Sequence, residues 1–94
     1  MPNCALNDFS GHDLSGADLR GGNFTQANLQ SSNLQQVSFY LADLSDANLR
    51  GSTLSRADLS QSILSQADLR GADLRGAKLR LSLIHIYNQF DNSL

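Results

Sequence analysis

Several features that would narrow the function are missing from this sequence. Its 94 residues include one cysteine, one proline and no tryptophan. A single cysteine forms no internal disulfide, so the redox compartment is left open. No apolar run approaches the length of a membrane span, and no signal-peptide pattern opens the chain. With a net charge of −2, the sequence predicts one small cytoplasmic domain that does not enter a membrane.

The groupings that catalysis requires are also absent. There is no nucleophile paired with a base, no metal-ligand cluster and no phosphate-binding loop followed by a helix. Cys4 has no histidine or basic neighbour, and His12 has no partner at ligand spacing. The aspartates recur at regular intervals instead of converging as an acid–base pair. We therefore expect no enzyme activity, no cofactor and no bound metal.

What the sequence does contain is a repeat of five residues, clearest in 67–71 and 72–76. A large apolar residue, here called the central residue, occupies every fifth position fifteen times in succession. These central residues, predicted to form the structural core, are Phe9, Leu14, Leu19, Phe24, Leu29, Leu34, Phe39, Leu44, Leu49, Leu54, Leu59, Leu64, Leu69, Leu74 and Leu79. A small residue usually precedes each of them by two positions, and Asp or Asn usually lies between the two.

A period of five fits neither a helix, with 3.6 residues per turn, nor a flat strand, with a period of two. Fixed-period similarity of this kind is typical of a solenoid. Two-residue spacing places the central and small residues on the same face of an extended segment, so we predict that both point inward. The Asp or Asn between them then points outward, where we expect it to bond nearby backbone and not a ligand.

The two residues after each central residue must turn a corner. Glycine occupies the second of them in six units, and a type II turn favours glycine there because it requires a positive φ. The other units have Gln, Ser, Asp, Arg or Leu at this position, and for Gln26, Ser31, Gln36, Asp46, Arg56, Gln61 and Gln66 we predict a different turn type. His12 falls on a small inward position, which predicts a distorted first coil with His12 partly exposed.

From Asp8 to Arg80 the pattern resembles that of the pentapeptide-repeat family, A(D/N)LXX. The resemblance implies an all-β fold, a right-handed quadrilateral parallel β-helix with one pentapeptide on each side and twenty residues per coil. Fifteen units then make just under four coils. Several stacked repeats are needed for stability, because a single coil buries too little apolar surface to offset the cost of ordering it.

The two ends depart from the repeat. We divide the chain into an irregular N-terminal cap (1–7), with Cys4 as a degraded first central residue, a solenoid (8–80) and a non-repeat tail (81–94). One interpretation of the tail is a short apolar segment that caps the last coil. The other is non-native sequence, because residues 81–86 resemble the translation of a transposon end used in preparing sequencing libraries. In that case the repeats were cut at an arbitrary point.

A few residues interrupt the polar exterior and are candidates for partner contact. Tyr40 and Leu41 occupy adjacent corner positions, and Ile63 replaces the usual outward Asp or Asn. Charge is uneven, since residues 1–49 carry five aspartates and one arginine, whereas residues 50–80 carry six cations and three aspartates. Arg50 and Arg70 should stack in one column. The basic half lacks the dense stripe with aromatics that nucleic-acid binding favours, so no direct nucleic-acid contact is predicted.

These features favour a non-catalytic scaffold that binds a protein partner or self-associates through the solenoid ends. The first alternative comes from the family resemblance, since some members mimic DNA and bind or protect a type II topoisomerase. That role asks for a strongly acidic surface, which this chain lacks. The second alternative is that the chain is a fragment of a larger pentapeptide-repeat protein whose activity lies elsewhere.

Overall fold

The computed structural model describes residues 3–82, which wind into four coils of a four-sided parallel β-helix. We number them coil 1 (3–22), coil 2 (23–42), coil 3 (43–62) and coil 4 (63–82). Each side of a coil is one five-residue unit. Sixteen units are present, because Asn3 and Cys4 already follow the coil geometry: Asn3 pairs with Asn23, and Cys4 takes a central position.

The β-structure of residues 3–82 consists of twelve isolated parallel bridges, and no longer strand or helix forms in this part of the chain. Each bridge joins a residue to the one twenty positions later, from Asn3–Asn23 to Asp58–Lys78. The chain turns a corner in every five-residue unit, so each side of a coil contributes only one residue to the parallel bridges. The bridging residue is the Asp or Asn of the sequence repeat.

Backbone hydrogen bonds between coils repeat with a fixed register. The N–H of Leu29 donates to the carbonyl of Asn48 at 2.7 Å, and the N–H of Asn48 donates back to Ala27 at 2.9 Å. The second corner position adds another bond, as from Gln36 to Ser55 at 3.0 Å. These bonds satisfy the polar groups of the tube wall, which must be paired where they are buried.

The interior is filled by the central residues and the small residues beside them. All eleven central residues from Phe24 to Leu74 are buried, whereas Phe9, Leu14, Leu19 and Leu79, in the first and last coils, are only partly buried. The Phe24 ring lies 5.2 Å from that of Phe39 in an edge-to-face arrangement. A narrow tube leaves space for only a small residue beside each central one, which explains the pairing of large and small positions.

Three buried serines occupy small positions without leaving a polar atom unpaired. The hydroxyls of Ser32, Ser52 and Ser62 donate to the carbonyls of Leu29, Leu49 and Leu59 at 2.6–2.7 Å. Each of these carbonyls also accepts the backbone N–H of the same serine. The hydroxyl therefore reinforces the corner instead of destabilising the core.

All sixteen corners share one geometry, so the prediction of a different turn for the corners without glycine is wrong. Every corner is closed by an N–H to C=O bond of 2.9–3.2 Å from the small residue to the central residue three positions earlier. Every second corner residue has a positive φ, 66–73° for glycine and 56–63° for the others. The bonds between coils hold Gln, Ser, Asp, Arg and Leu in this conformation, although for L-residues it costs about 1–2 kcal/mol.

Coil 1 keeps the regular backbone despite His12 at a small position. His12 is exposed, its Nδ1 lies 3.1 Å from the carbonyl oxygen of Ser10, and its ring packs edge-on against Phe9. The exposure was predicted, but the distortion was not found: Asn33 still donates to the His12 carbonyl at 2.9 Å. At the other end, Leu81 and Ser82 complete the sixteenth corner. Residues 1–2 and 83–94, including most of the tail, lie outside the described residues.

Candidate interaction surface

The outer surface consists of four faces and four corners. We name each face by its bridging residues and give the corner that follows it the same number. Face 1 carries Asn3, Asn23, Asp43 and Ile63; face 2 carries Asp8, Asn28, Asn48 and Asp68; face 3 carries Asp13, Asn33, Thr53 and Asp73; face 4 carries Asp18, Ser38, Asp58 and Lys78. Residues twenty positions apart therefore stack in one column.

The Asp and Asn side chains on these faces bond the backbone next to them. In residues 3–82, all twelve accept at Oδ1 from the N–H two residues later, over 2.9–3.5 Å. The bonds from the backbone N–H groups of Ser10 and Ser60 lower the pKa values of Asp8 and Asp58, as charge-stabilising donors do. These side chains therefore bond the corners, as the sequence predicted.

Three arginines pair with the aspartate two residues before them. Arg20 contacts Asp18, Arg70 contacts Asp68 and Arg75 contacts Asp73, each through Nη2 to Oδ2 at 2.7 Å. The side-chain bond from Arg75, joined by its backbone N–H, lowers the pKa of Asp73 from 3.8 to about 2. The arginine side chains of these pairs are 47–78% exposed, so each pair adds little stability, but the pairing fixes the direction of the guanidinium groups.

The apolar candidates lie at corner 4 and on the adjoining face. Tyr40 is partly buried, and its hydroxyl accepts a bond of 3.3 Å from Nε2 of Gln61 in the next coil. Leu41 is 53% exposed at φ 61°. Ile63 is 36% exposed on face 1, two residues after Gln61. Gln61 stacks on Leu41 in the column, so the structure brings Tyr40, Leu41 and Ile63 into one region, which we call the apolar corner.

The basic candidates lie on the opposite side of the tube. Arg50 and Arg70 stack at corner 2 around Asp68, whose Oδ2 is 4.0 Å from Nε of Arg50 and 2.7 Å from Nη2 of Arg70. Arg50 follows Tyr40 by ten residues, which is half of a coil. Corner 2 is therefore diagonally opposite corner 4, and the five candidate residues do not form one surface.

Charge varies along the tube axis. Coil 1 carries a net charge of −2, coil 2 has no charged residue, coil 3 carries −1 and coil 4 carries +2. In residues 3–82 no group of three or more His, Cys, Asp and Glu side chains could hold a metal ion. Within the same range, no helix has the length and apolarity needed to cross a lipid bilayer.

A groove of about 470 Å³, which no sequence motif indicated, lies at corner 3. The groove is lined by Gln35, Gln36, Ser55, Arg56, Arg75 and Gly76. These residues come from three successive coils, and the signal that could have revealed them is the twenty-residue column, which stacks Gly76 on Arg56 and Arg56 on Gln36. A second groove, of about 350 Å³, lies next to Tyr40 and is bordered by Lys78 and Arg80.

The structure is similar to solved structures from cyanobacteria. The crystal structure of HetL, a pentapeptide repeat protein involved in heterocyst differentiation regulation in Nostoc sp. strain PCC 7120, is 39% identical, with a TM-score of 0.85 over 86% of this chain. Alr5209, a pentapeptide repeat protein from Nostoc PCC 7120, is 35% identical, with a TM-score of 0.61 over 82%. Rfr23 from Cyanothece 51142 is 25% identical, with a TM-score of 0.51 over 86%.

The chain spans only part of the length of these proteins, 38% of HetL, 60% of alr5209 and 59% of Rfr23. Among curated proteins no significant match was found. At the level of the repeat itself, residues 8–46 and 42–80 match the family model described as pentapeptide repeats, with eight copies. This match confirms the resemblance seen in the sequence and the fold that it implied. The chain therefore belongs to the pentapeptide-repeat family and forms a right-handed quadrilateral β-helix.

Proposed function

We propose that this protein is a non-catalytic scaffold that binds a protein partner through the apolar corner formed by Tyr40, Leu41 and Ile63. The observation that carries the proposal is Leu41, a large apolar side chain that is 53% exposed at a φ of 61°. It is unfavourable in two ways, because it exposes apolar surface and occupies a backbone conformation that L-residues avoid.

The fold does not require leucine at this position. The other residues of the same column are Gly21 in coil 1, Gln61 in coil 3 and Leu81 in coil 4, and all have a similar positive φ and the same closing hydrogen bond. Gly21 and Gln61 show that the corner forms without a leucine. Positions where a residue violates local preference without a gain in folding stability are where functional constraints are expected. Tyr40 adds an aromatic ring and a hydroxyl, a combination enriched at protein interfaces.

The rest of the tube supports this role by holding the corner rigidly. The next coil holds Leu41 in place, because its backbone N–H donates to the carbonyl of Ser60 at 3.2 Å. The central residues beneath, Phe39 and Leu59, are buried. A partner would therefore meet a preformed surface and would not have to order a loop on binding.

The basic corner, which is corner 2 with Arg50 and Arg70, is proposed as a separate contact with a partner protein. Arg50 and Arg70 face away from Leu41, so one flat partner surface would not reach both corners. A partner that wraps around the tube, or a second molecule, would contact these arginines. The likeness to HetL, a protein involved in regulation of heterocyst differentiation, supports a regulatory binding role.

Mimicry of DNA is not favoured by the charge distribution. A mimic needs negative charge along its whole surface, because duplex DNA carries one charge about every 1.7 Å. Coil 2 carries no charged residue, and coil 4 carries a net charge of +2. We therefore do not propose a topoisomerase as the partner.

The test compares two exposed leucines with the same backbone conformation. The double substitution Tyr40→Ser and Leu41→Ser should weaken self-association and the capture of partner from extracts of the source cells. Leu6→Ser is the matched control, because Leu6 is 73% exposed at φ 63° but belongs to corner 1. Sedimentation velocity and quantitative pull-downs measure the difference, and circular dichroism should remain unchanged in both variants.

Equal sedimentation and capture for wild type and for the Tyr40→Ser, Leu41→Ser variant would contradict the proposed role of the apolar corner. A loss that is as large in Leu6→Ser would show that exposed leucines associate without specificity.

A further inference from the structure

The groove at corner 3 is a polar concave surface that the proposed function does not use. It opens between Gln36 in coil 2, Arg56 in coil 3 and Gly76 in coil 4. Gln35, Ser55 and Arg75 line its other side. Its side chains offer N–H and O–H donors from two amides, a hydroxyl and two guanidinium groups.

Gly76 keeps the groove open. A Cβ atom at this position would lie 3.4 Å from Cγ of Arg56, so a side chain here would crowd the Arg56 stem. The residues stacked beneath Gly76 in the same column, Arg56 and Gln36, both have long side chains. The absence of a side chain at Gly76 therefore leaves space above the Arg56 guanidinium for a group from another molecule.

The two guanidinium groups retain donors that the fold does not use. Within residues 3–82 the Arg56 side chain makes no hydrogen bond or ion pair. Arg75 bonds Asp73 through Nε at 2.9 Å and Nη2 at 2.7 Å, which leaves the two N–H groups of Nη1 available. The pairing with Asp73 also restrains the Arg75 side chain, so less freedom is lost when a ligand binds.

We propose that this groove binds an aspartate or glutamate side chain of a partner protein, held between Arg56 and Arg75. A carboxylate accepts from two guanidinium groups and from the neighbouring amides, and such charge-assisted bonds are the strong ones. The proposal rests on the proposed function as a protein-binding scaffold and adds a contact at a different corner from Leu41. It names the chemistry of the partner at that contact, a single acidic side chain.

A nucleic-acid backbone fits this corner less well. Phosphates along a strand require a row of cations, but the corner-3 columns carry none in coils 1 and 2, where Ser15, Gly16, Gln35 and Gln36 stand. The described residues at this corner also include no aromatic side chain on which a base could stack.

The test uses three fluorescein-labelled probes with the full chain at low salt. These are a peptide of glutamate, glycine and serine, the same peptide with glutamine in place of glutamate, and a single-stranded oligonucleotide. Fluorescence anisotropy should show binding of the glutamate peptide and much weaker binding of the other two. Arg56→Gln should weaken binding of the glutamate peptide about fivefold, the factor expected for loss of one exposed ion pair. Arg56→Lys, which keeps the charge, should retain part of the affinity.

The variants are chosen so that a change in peptide binding is not caused by misfolding. Glutamine is already present at the same φ in Gln36, Gln61 and Gln66, so Arg56→Gln should fold normally. Arg20→Gln is the control, because Arg20 is an exposed arginine paired with Asp18 at a corner of coil 1 that is remote from the groove. It should leave peptide binding unchanged.

Three outcomes would overturn the proposal: equal binding of the glutamate and glutamine peptides, an equal effect of Arg56→Gln and Arg20→Gln, or stronger binding of the oligonucleotide with the same dependence on Arg56. The apolar corner is tested separately with Tyr40→Ser, Leu41→Ser. If that variant captures partner like wild type while peptide binding still depends on Arg56, the apolar corner fails and the groove stands.

Discussion

Coil 2 and coil 4 follow the same backbone path but carry very different outer surfaces. Coil 2 has no charged residue, whereas coil 4 has two aspartates, three arginines and a lysine. Their corners share the positive φ and the closing hydrogen bond, and both bury most of their central residues. The interior and the corner bonds therefore specify this fold, and the exterior is left to vary. Function should be sought where the exterior departs from the repeat, as at Leu41 and Arg56.

The largest expected effect comes from disrupting the buried interior that coil 2 and coil 4 share. Leu49 is fully buried in coil 3, and its column places it between Leu29 of coil 2 and Leu69 of coil 4. Leu49→Asp would bury an unpaired carboxylate, at a cost of several kcal/mol, which is comparable with the whole stability of a small domain. We expect cooperative unfolding or insolubility, measured by circular dichroism and thermal denaturation.

Leu41→Asp is the control for that experiment, because it places the same charge at an exposed position. It should leave the protein folded and soluble. A Leu49→Asp protein that melts like wild type would contradict the interior assigned to the central residues.

A smaller effect is expected from exchanging the corner residues of the two coils. Ser31 of coil 2 and Gly71 of coil 4 occupy the same column, at φ 57° and 73°. Gly71→Ser should destabilise by about 1 kcal/mol, because a side chain in the left-handed region is strained. A Cβ at Gly71 would meet only ordinary contacts, the nearest at 3.6 Å, so the cost is conformational and not a clash.

Ser31→Gly should be neutral or slightly stabilising, because relief of strain is partly offset by the greater freedom that glycine loses on folding. Urea denaturation of both variants checks the pair. A Gly71→Ser variant as stable as wild type, or a Ser31→Gly variant that is clearly destabilised, would mean that the left-handed corner is not strained.

The smallest expected effect is on the pH dependence of stability, which should differ between the two coils because their charges differ. Coil 2 has no carboxylate, whereas the pKa of Asp73 in coil 4 is lowered from 3.8 to about 2 by Arg75. A lowered pKa means that the ionised form stabilises the fold above about pH 4, and that this contribution is lost as the pH falls through about 2. Asp73→Asn should reduce stability slightly at neutral pH, and its difference from wild type should shrink in acid.

The reciprocal change, Asn33→Asp, places a carboxylate in the same column of coil 2, next to Gln35 in place of an arginine. This substitution should make stability depend on acid pH less strongly than Asp73 does. The pKa of the new carboxylate would be lowered by the backbone N–H of Gln35 and its uncharged surroundings, without a neighbouring guanidinium. Denaturation at several pH values measures both slopes. If the stability of Asp73→Asn varied with pH as that of wild type does, a contribution of the Asp73–Arg75 pair to stability would be ruled out.

Much of this fold could be predicted from the period of five alone. The period identified the central residues, and Asp or Asn beside them indicated the backbone bonds now seen at all twelve such positions in residues 3–82. The geometry of corners such as Gln36 was predicted wrongly, because the preference of glutamine for a negative φ is overridden by bonds between adjacent coils. Cys4 does take the central position predicted for a degraded first unit, but residues 3–7 are not irregular as predicted, because the pairing of Asn3 with Asn23 continues the coil geometry to them.

The candidate surfaces were harder to predict, although part of the signal was present. The separation of ten positions between Tyr40 and Arg50 already implies opposite corners, because one coil has twenty residues. The groove at Arg56 depends on the direction of side chains from three coils and on the missing side chain of Gly76. Such a concavity has no motif, because its residues are far apart in the chain.

The constant twenty-residue register also determines how this molecule tolerates insertions and deletions. Removing one whole coil would shorten the tube and leave every later residue on its original face. Removing a single unit of five would preserve the interior equally well, but it would rotate the remainder by a quarter turn. Arg75 would then lie at the corner that Arg70 now occupies, and Arg56 and Gly76 would no longer be aligned with Gln36. Insertions and deletions of whole five-residue units therefore rotate the later part of the tube by quarter turns, which keeps the interior intact while redirecting what each side presents.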